Sequence, residues 1–396
     1  MLFTEFYDNE VNNLASTTSN PANQMVRNPH LKGLQCLRCD AAYPLALAHD
    51  GCPVCARQGA HVSLRASYNK QSDALHYLPY VDVGLLGEGR TPLIEAPAVA
   101  RAFGLANLHI KDESKNPTGS HKDRMSAIGA QQAIDFGAHT VVLASSGNAA
   151  VSAAYYANAF GLACEVATYA GMAKAYADAL DAAGAKCFAF DDNAGRWQFV
   201  AQRSAQPGYF ALTNYHLPAL GSAPLAIEGY KAIAYECQAQ GCVPEHILVP
   251  TARGDLAWGI YAGFRDLLDA GQINALPKIW VVEPFARLSK VLAGYSLHEN
   301  YPGQTAQFST AGATVTYLQW QAATASGGGA LVVPDSEALA ARRVLTQHGI
   351  STELCAAAGF AAIAQLHALQ AINAHSKLLL ILTANASRDP SFTDHV

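Results

Sequence analysis

Charge is sparse in this chain: only 14% of its 396 residues are Asp, Glu, Lys or Arg, and 26 basic against 31 acidic side chains leave a formal net charge of -5. No basic stripe or block of like charges breaks the sequence, so the electrostatic footprint that nucleic acid or an anionic membrane demands is missing. No apolar run approaches the roughly 18 residues of a membrane span. The stretch Met1 to His30 is polar, rich in Asn, Ser and Thr, and lacks the charged-then-apolar order of a secretory signal. These absences predict a cytoplasmic protein with neither nucleic acid nor membrane as partner. Hydrophobic residues, at 51%, are abundant enough to bury more than one sizeable core, which suggests two large lobes and an appendage.

Nine cysteines divide into two groups. Cys36-Leu37-Arg38-Cys39 and Cys52-Pro53-Val54-Cys55 are two Cys-x-x-Cys knuckles separated by twelve residues, and the other five are scattered through apolar segments as small core residues. Two knuckles at this spacing can bring Cys36, Cys39, Cys52 and Cys55 to the corners of a tetrahedron, the geometry of a zinc ribbon. With no histidine and no open position, a zinc ion there is structural. A pair of disulfides or a vestigial ribbon without metal are the alternatives, and a cytosolic setting disfavours disulfides.

Beyond the knuckles, apolar strands and helix-like stretches alternate, which implies parallel sheets covered on both faces. Strands near 139–144, 163–168 and 186–190 alternate with helices near 147–160, 173–183 and 194–206. Further strands are expected near 246–250, 278–283 and 378–383. The predicted class is α/β: a zinc-ribbon-like extension over 1–65, a large lobe from 66–116 with 229–396, and a small lobe over 117–228. Both lobes are open, mainly parallel sheets. A ligand cleft between them receives the turns at the carboxyl ends of the strands. The poorly periodic stretch around 294–314 reads as a loop over that cleft.

Four segments carry the chemistry. In Asn116-Pro117-Thr118-Gly119-Ser120-His121-Lys122-Asp123-Arg124, Lys122 stands where a strand-like stretch gives way to a helix. A lysine at such a junction can bury its stem, lose charge through desolvation and present a free amine as a Schiff-base nucleophile or proton carrier. An ordinary turn beside a solvated lysine has the same local sequence. Val141 to Ala150 is a strand, a small polar turn (Ser145-Ser146-Gly147-Asn148) and a helix start, suited to a carboxylate or a phosphate. Ile247 to Asp255 repeats that plan through Thr251-Ala252-Arg253-Gly254-Asp255, and Leu378 to Thr383 is a buried strand ending in a hydroxyl.

In order and spacing, together with Ile227-Glu228-Gly229-Tyr230-Lys231 and Ser326-Gly327-Gly328-Gly329, these segments resemble the tryptophan-synthase-like (type II) pyridoxal phosphate enzymes, threonine synthase most of all. The resemblance implies pyridoxal 5'-phosphate in the cleft and an amino acid substrate that loses its Cα proton, followed by elimination or replacement at the β or γ carbon. Lys122 matches the lysine that anchors the cofactor and moves the proton. Asn148 matches the asparagine beside the phenolic oxygen, with helix capping as its other possible role. Thr383 matches the hydroxyl facing the pyridine nitrogen, where a neutral group rather than an aspartate would leave the ring unprotonated. Thr251, Ala252, Arg253, Gly254 and Asp255 match the phosphate loop. Ser145, Ser146, Gly147 and Asn148 match the turn for the substrate carboxylate, although serines also form turns for their own sake. A homodimer is the expected assembly.

Departures from the pattern bear on the substrate. Arg253 stands where an uncharged residue is usual, and is open to three readings: a phosphate contact, a substrate contact or a solvated lip. His121 replaces an aromatic, as a packing substitute or a proton-transfer group. Ala149 and Ala226 occupy positions where phosphate-binding threonine synthases place a threonine and an arginine. Serine or threonine dehydration and a cysteate-synthase-like replacement are therefore alternatives, and a catalytically silent zinc-ribbon scaffold is the alternative from another class.

Overall fold

The computed structural model describes residues 25–46, 50–69, 77–81 and 84–389. Most of the stretch read as lacking a secretory signal lies outside them. No helix among the described residues is long and apolar enough to cross a membrane.

Five parallel strands and one antiparallel edge strand form the larger sheet, in the order Gly329–Val332, Lys278–Glu283, His246–Pro250, Leu378–Leu382, Leu108–Asp112 and Leu93–Glu95. Every residue of Leu378–Leu382 is buried, as a continuous apolar run in mid-sheet requires. The smaller sheet is wholly parallel, in the order Lys186–Phe190, Ala163–Tyr169, Thr140–Ala144 and Tyr209–Ala211. The α/β class read from the alternation is therefore the observed one. The edge strands Tyr209–Ala211, Leu93–Glu95 and Gly329–Val332 escaped the sequence reading, because three or four residues are too few to show a period.

Ahead of the lobes, Ala42–Tyr43, Leu31–Cys36 and Leu64–Tyr68 make a small antiparallel sheet. It is tied to the body where the Ala66 amide donates to Glu228 Oε1 (3.3 Å).

The segment carrying Lys122 is stitched to the end of the central strand. His121 N donates to the Thr383 carbonyl at 2.9 Å, Asn385 N donates to the Gly119 carbonyl at 3.1 Å, and Ser120 bridges Ala384. The helix Lys122–Asp135 starts there. Its first turn is clamped by a buried ionic cluster. Arg124 Nε and Nη2 meet Glu113 at 2.6 and 2.8 Å, and Nη1 and Nη2 meet Glu236 at 2.6 and 2.8 Å. Lys111 Nζ reaches Glu236 Oε2 at 2.7 Å. Two bidentate carboxylates take four of the guanidinium's five N–H donors, so the cluster fixes three elements around the lysine.

Candidate active site

All eleven residues read from the sequence as lining a cofactor and substrate site border one cleft between the two sheets: Lys122, Ser145, Ser146, Gly147, Asn148, the five residues Thr251 to Asp255, and Thr383. Phe308 to Gly312, from the irregular stretch predicted to cover the cleft, also line it.

Lys122 opens its helix, and its amine lies 5.8 Å from the ring centre of Tyr230. Burial holds its pKa below the ordinary lysine value. Asp255 and Glu353 oppose that shift and Arg253 adds to it, so the amine is easier to deprotonate than a surface lysine. His121 packs on Tyr230, and its Nδ1 lies 3.0 Å from the Thr383 carbonyl. Burial and the adjacent Lys122 push the imidazole well below its usual pKa, which leaves it neutral with the Nδ1 proton donated to that carbonyl. Of the two roles open for His121, the packing one is what the geometry displays.

The turn after Thr140–Ala144 behaves differently at each residue. Ser145 Oγ accepts from the amides of Gly147 (3.3 Å) and Ala150 (3.2 Å), so this hydroxyl caps the helix Asn148–Ala159. Ser146 is buried and borders the cleft. A Cβ at Gly147 would stand 3.0 Å from the Phe308 ring. Asn148 makes no capping bond; its Nδ2 donates across the cleft to Glu353 Oε2 at 3.3 Å.

The loop from Thr251 to Asp255 is braced from behind. The fully buried Arg287 donates to the carbonyls of Thr251 and Ala252, both at 3.3 Å, and Thr251 Oγ1 accepts from Gly254 N at 3.0 Å. Gly254 has φ +93°, and a Cβ there would lie 2.4 Å from that of Gln319, so only glycine fits. Asp255 begins the 15-residue helix Asp255–Asp269 and is held by Ser222, whose Oγ donates to Oδ2 at 2.6 Å. A loop ending in a long helix's N-terminus suits an anion.

Arg253 is not a solvated lip residue. Its guanidinium lies 5.2 Å from the Trp197 ring centre, beside Arg196, which is 6% exposed and stacks on Tyr169 at 4.2 Å. Neither arginine makes an ion pair with a carboxylate among the described residues. Ala149 borders the cleft, whereas Ala226 is fully buried against the helix Lys122–Asp135, beside Gly129.

Sequence reasoning missed Glu353. It is buried, lines the cleft and precedes the helix Leu354–Ala368. Its Oε1 accepts from Thr383 Oγ1 at 2.6 Å, and its Oε2 from Asn148 Nδ2 and from Ser309 Oγ (3.1 Å). A signal was present: Glu353 is the sole acidic residue between Glu337 and Asp389, and it introduces an Ala-rich apolar run.

The four knuckle thiols form a separate cluster, with all four Sγ atoms within 4.8 Å of one another. The pairs Cys36–Cys55 and Cys39–Cys52 are both 3.6 Å apart, and the Tyr43 hydroxyl is 3.1 Å from Cys52 Sγ. Sulfurs bound at about 2.3 Å to one tetrahedral zinc sit roughly 3.8 Å apart, so the spacing fits a metal. It excludes disulfides, whose sulfurs are about 2.05 Å apart.

The family profile described as "Pyridoxal-phosphate dependent enzyme" matches residues 85–384. Among curated proteins, the threonine synthase of Methanosarcina acetivorans is 30% identical over 318 residues, 76% of each chain. That of Methanocaldococcus jannaschii is 29% identical over 338 residues, 80% of each. Among solved structures, the diaminopropionate ammonia lyase of Escherichia coli superposes with a TM-score of 0.65 at 20% identity, covering 76% of this chain and 86% of the lyase. The residues agree with the profile: an amine of lowered pKa, an amide and a hydroxyl facing one cleft, and a glycine-dependent anion loop at a helix start are the donors this cofactor needs. The chain belongs to the pyridoxal-phosphate dependent enzymes of fold type II.

Proposed function

We propose that this protein is an amino acid lyase or synthase of the threonine synthase kind, which removes a Cα proton and then eliminates or replaces a group at the β or γ carbon. One observation carries the reading: the depressed amine of Lys122 shares a cleft with Asn148, Thr383 and the anion loop. Bound pyridoxal phosphate supplies the electron sink for a Cα carbanion. The chain's own residues do the rest. The loop from Thr251 to Asp255 holds the cofactor phosphate at the start of its helix. Ser146 and the turn up to Asn148 orient the substrate carboxylate, while Ser145 keeps that turn in shape. Lys122 Nζ, whose pKa burial lowers, accepts the Cα proton and returns it to the product.

A second reading has its own support. Ala149 and Ala226 offer no donor to a substrate phosphate, which favours dehydration of serine or threonine, or a cysteate-synthase-like replacement. Arg253 and Arg196 supply positive charge in the same cleft and can take over that task. The knuckle thiols hold a structural zinc in this reading, and a small amino acid is the partner the cleft accommodates.

The test is Lys122→Ala beside the unaltered protein. The unaltered protein should show a visible cofactor band, fix the cofactor covalently to Lys122 on borohydride reduction, and release keto acid or phosphate from a panel of amino acids; Lys122→Ala should do none of these. A label on Lys111, Lys115 or Lys174 would overturn the assignment. Absence of any band would favour the silent scaffold.

A further inference from the structure

We propose that Ser63, in the zinc-ribbon-like extension, is a positioning residue for the cleft: its hydroxyl pins the middle of the segment that crosses from the small lobe to the large one, and so ties the knuckles to the spacing between the two faces of the site. The inference rests on the functional reading above only for what the site binds.

The crossing segment, residues 212–223, joins the strand Tyr209–Ala211 at the edge of the smaller sheet to the helix Pro224–Ile227, which packs on the helix Lys122–Asp135. Its residues Thr213, Asn214 and Ser222 border the cleft. Its two ends hold opposite faces of the site. Thr213 Oγ1 accepts at 3.1 Å from the amide of Ala144, the residue before the Ser145–Asn148 turn. Ser222 donates from its amide and its hydroxyl to Asp255, at 3.3 and 2.6 Å, where the anion loop enters its helix. No strand or helix forms between these two anchors, so the course of the backbone there depends on side chains. Asn214 supplies an internal brace: its Oδ1 accepts from the amides of Leu220 (2.8 Å) and Gly221 (3.2 Å), and its Nδ2 donates to the His216 carbonyl (3.0 Å).

Ser63 supplies the external brace. It is 5% exposed, and its hydroxyl donates to the Leu220 carbonyl, beside the amides that Asn214 holds. Both knuckles fix its own backbone. The Ser63 carbonyl accepts from Leu37 N, inside the first knuckle, at 3.3 Å, and the adjoining Val62 carbonyl accepts from Cys52 N, which opens the second, at 2.8 Å. Gly51 closes on the same place, since a Cβ there would lie 3.0 Å from the Leu220 side chain. Whatever gathers the four thiols therefore holds Ser63, Ser63 holds Leu220, and Leu220 lies between the two anchors of the cleft. Removing a buried donor leaves its carbonyl unpaired, and the segment must shift to find another partner. The expected consequence is a substrate site whose two faces are out of register, with the cofactor still held by Lys122 and the loop from Thr251 to Asp255.

The experiment compares holoenzyme of the unaltered protein, Ser63→Ala and, as a control, Arg65→Ala, whose side chain meets Gln35 and Asp40 instead of the crossing segment. Backbone hydrogen–deuterium exchange read by mass spectrometry needs no substrate. Ser63→Ala should speed exchange at 212–223 and at 144–148 roughly fivefold, the factor that one neutral hydrogen bond is worth, with zinc content and cofactor band unchanged. Kinetics with O-phosphohomoserine, L-serine and L-threonine should show KM raised by a similar factor and kcat little altered. Exchange at 144–148 that keeps the unaltered rate, or an unchanged KM, overturns the proposal. The same effects in Arg65→Ala also overturn it, because they would mark a general loosening of the ribbon. Cys36→Ser with Cys52→Ser should raise KM by the same route, so adding Ser63→Ala to that pair should raise it no further, and additive rises overturn the coupling. If the unaltered protein turns over none of the three amino acids, the functional reading falls, while the exchange result still decides the role of Ser63.

Discussion

The buried cluster beneath Lys122 makes a quantitative prediction about acid. Burial alone would raise the pKa of Glu236, yet Arg124 and Lys111 together pull it down from 4.5 to about 2. Its side chain is 17% exposed, so solvent screens these contacts little. Each tenfold change in proton affinity is worth about 1.4 kcal/mol, so the charged Glu236 contributes roughly 3 kcal/mol to folding. That agrees with the ~3–5 kcal/mol seen when one partner of a buried pair is removed. The folded pKa lies below the unfolded one, so the contribution is complete above about pH 4.5 and is lost as pH falls towards 2. Asp123 runs the other way: burial raises it to about 6, so its protonation stabilises the fold as pH drops through that value. The informative quantity is therefore the difference between the unaltered protein and Glu236→Gln, in which the contribution of Asp123 cancels. Urea unfolding should show the variant less stable by about 3 kcal/mol at pH 7, with the gap closing below pH 4.5. A gap below about 1 kcal/mol at pH 7, or one that stays constant down to pH 3, would refute the role given to this cluster.

Two further outcomes follow from the site. Purified protein should carry about one zinc per chain, and Cys36→Ser with Cys52→Ser should remove it and lower thermal stability while leaving the cofactor band in place; elemental analysis finding no metal without chelators would leave the vestigial ribbon. Phosphate release from O-phosphohomoserine should depend on Arg253, with Arg253→Ala lowering kcat/KM roughly tenfold or more, as expected for loss of one charge-assisted contact. Efficient threonine formation that survives the substitution would place the phosphate on other residues.

What could be read from the sequence was local. Lys122, the turn at Ser145 to Asn148, the loop through Gly254 and the knuckles each lie within ten residues or so of the features that define them, and all stand where their segments suggested. What could not be read depends on contacts between distant segments. Ser145 borders the cleft as its segment suggested, but nothing in a sequence tells that the same hydroxyl also caps its own helix; the bonds from Gly147 and Ala150 show it. Arg253 had three possible roles, and only the placement of Trp197 and Arg196 from the other lobe removes the solvated one. Thr383 changed most. Alone it is a neutral hydroxyl at a strand end, but Glu353, 30 residues earlier, lies within hydrogen-bond distance of it at 2.6 Å. A residue type at a recognised position therefore fixes which atoms are present, while the direction of the proton between them depends on a neighbour that the position does not reveal.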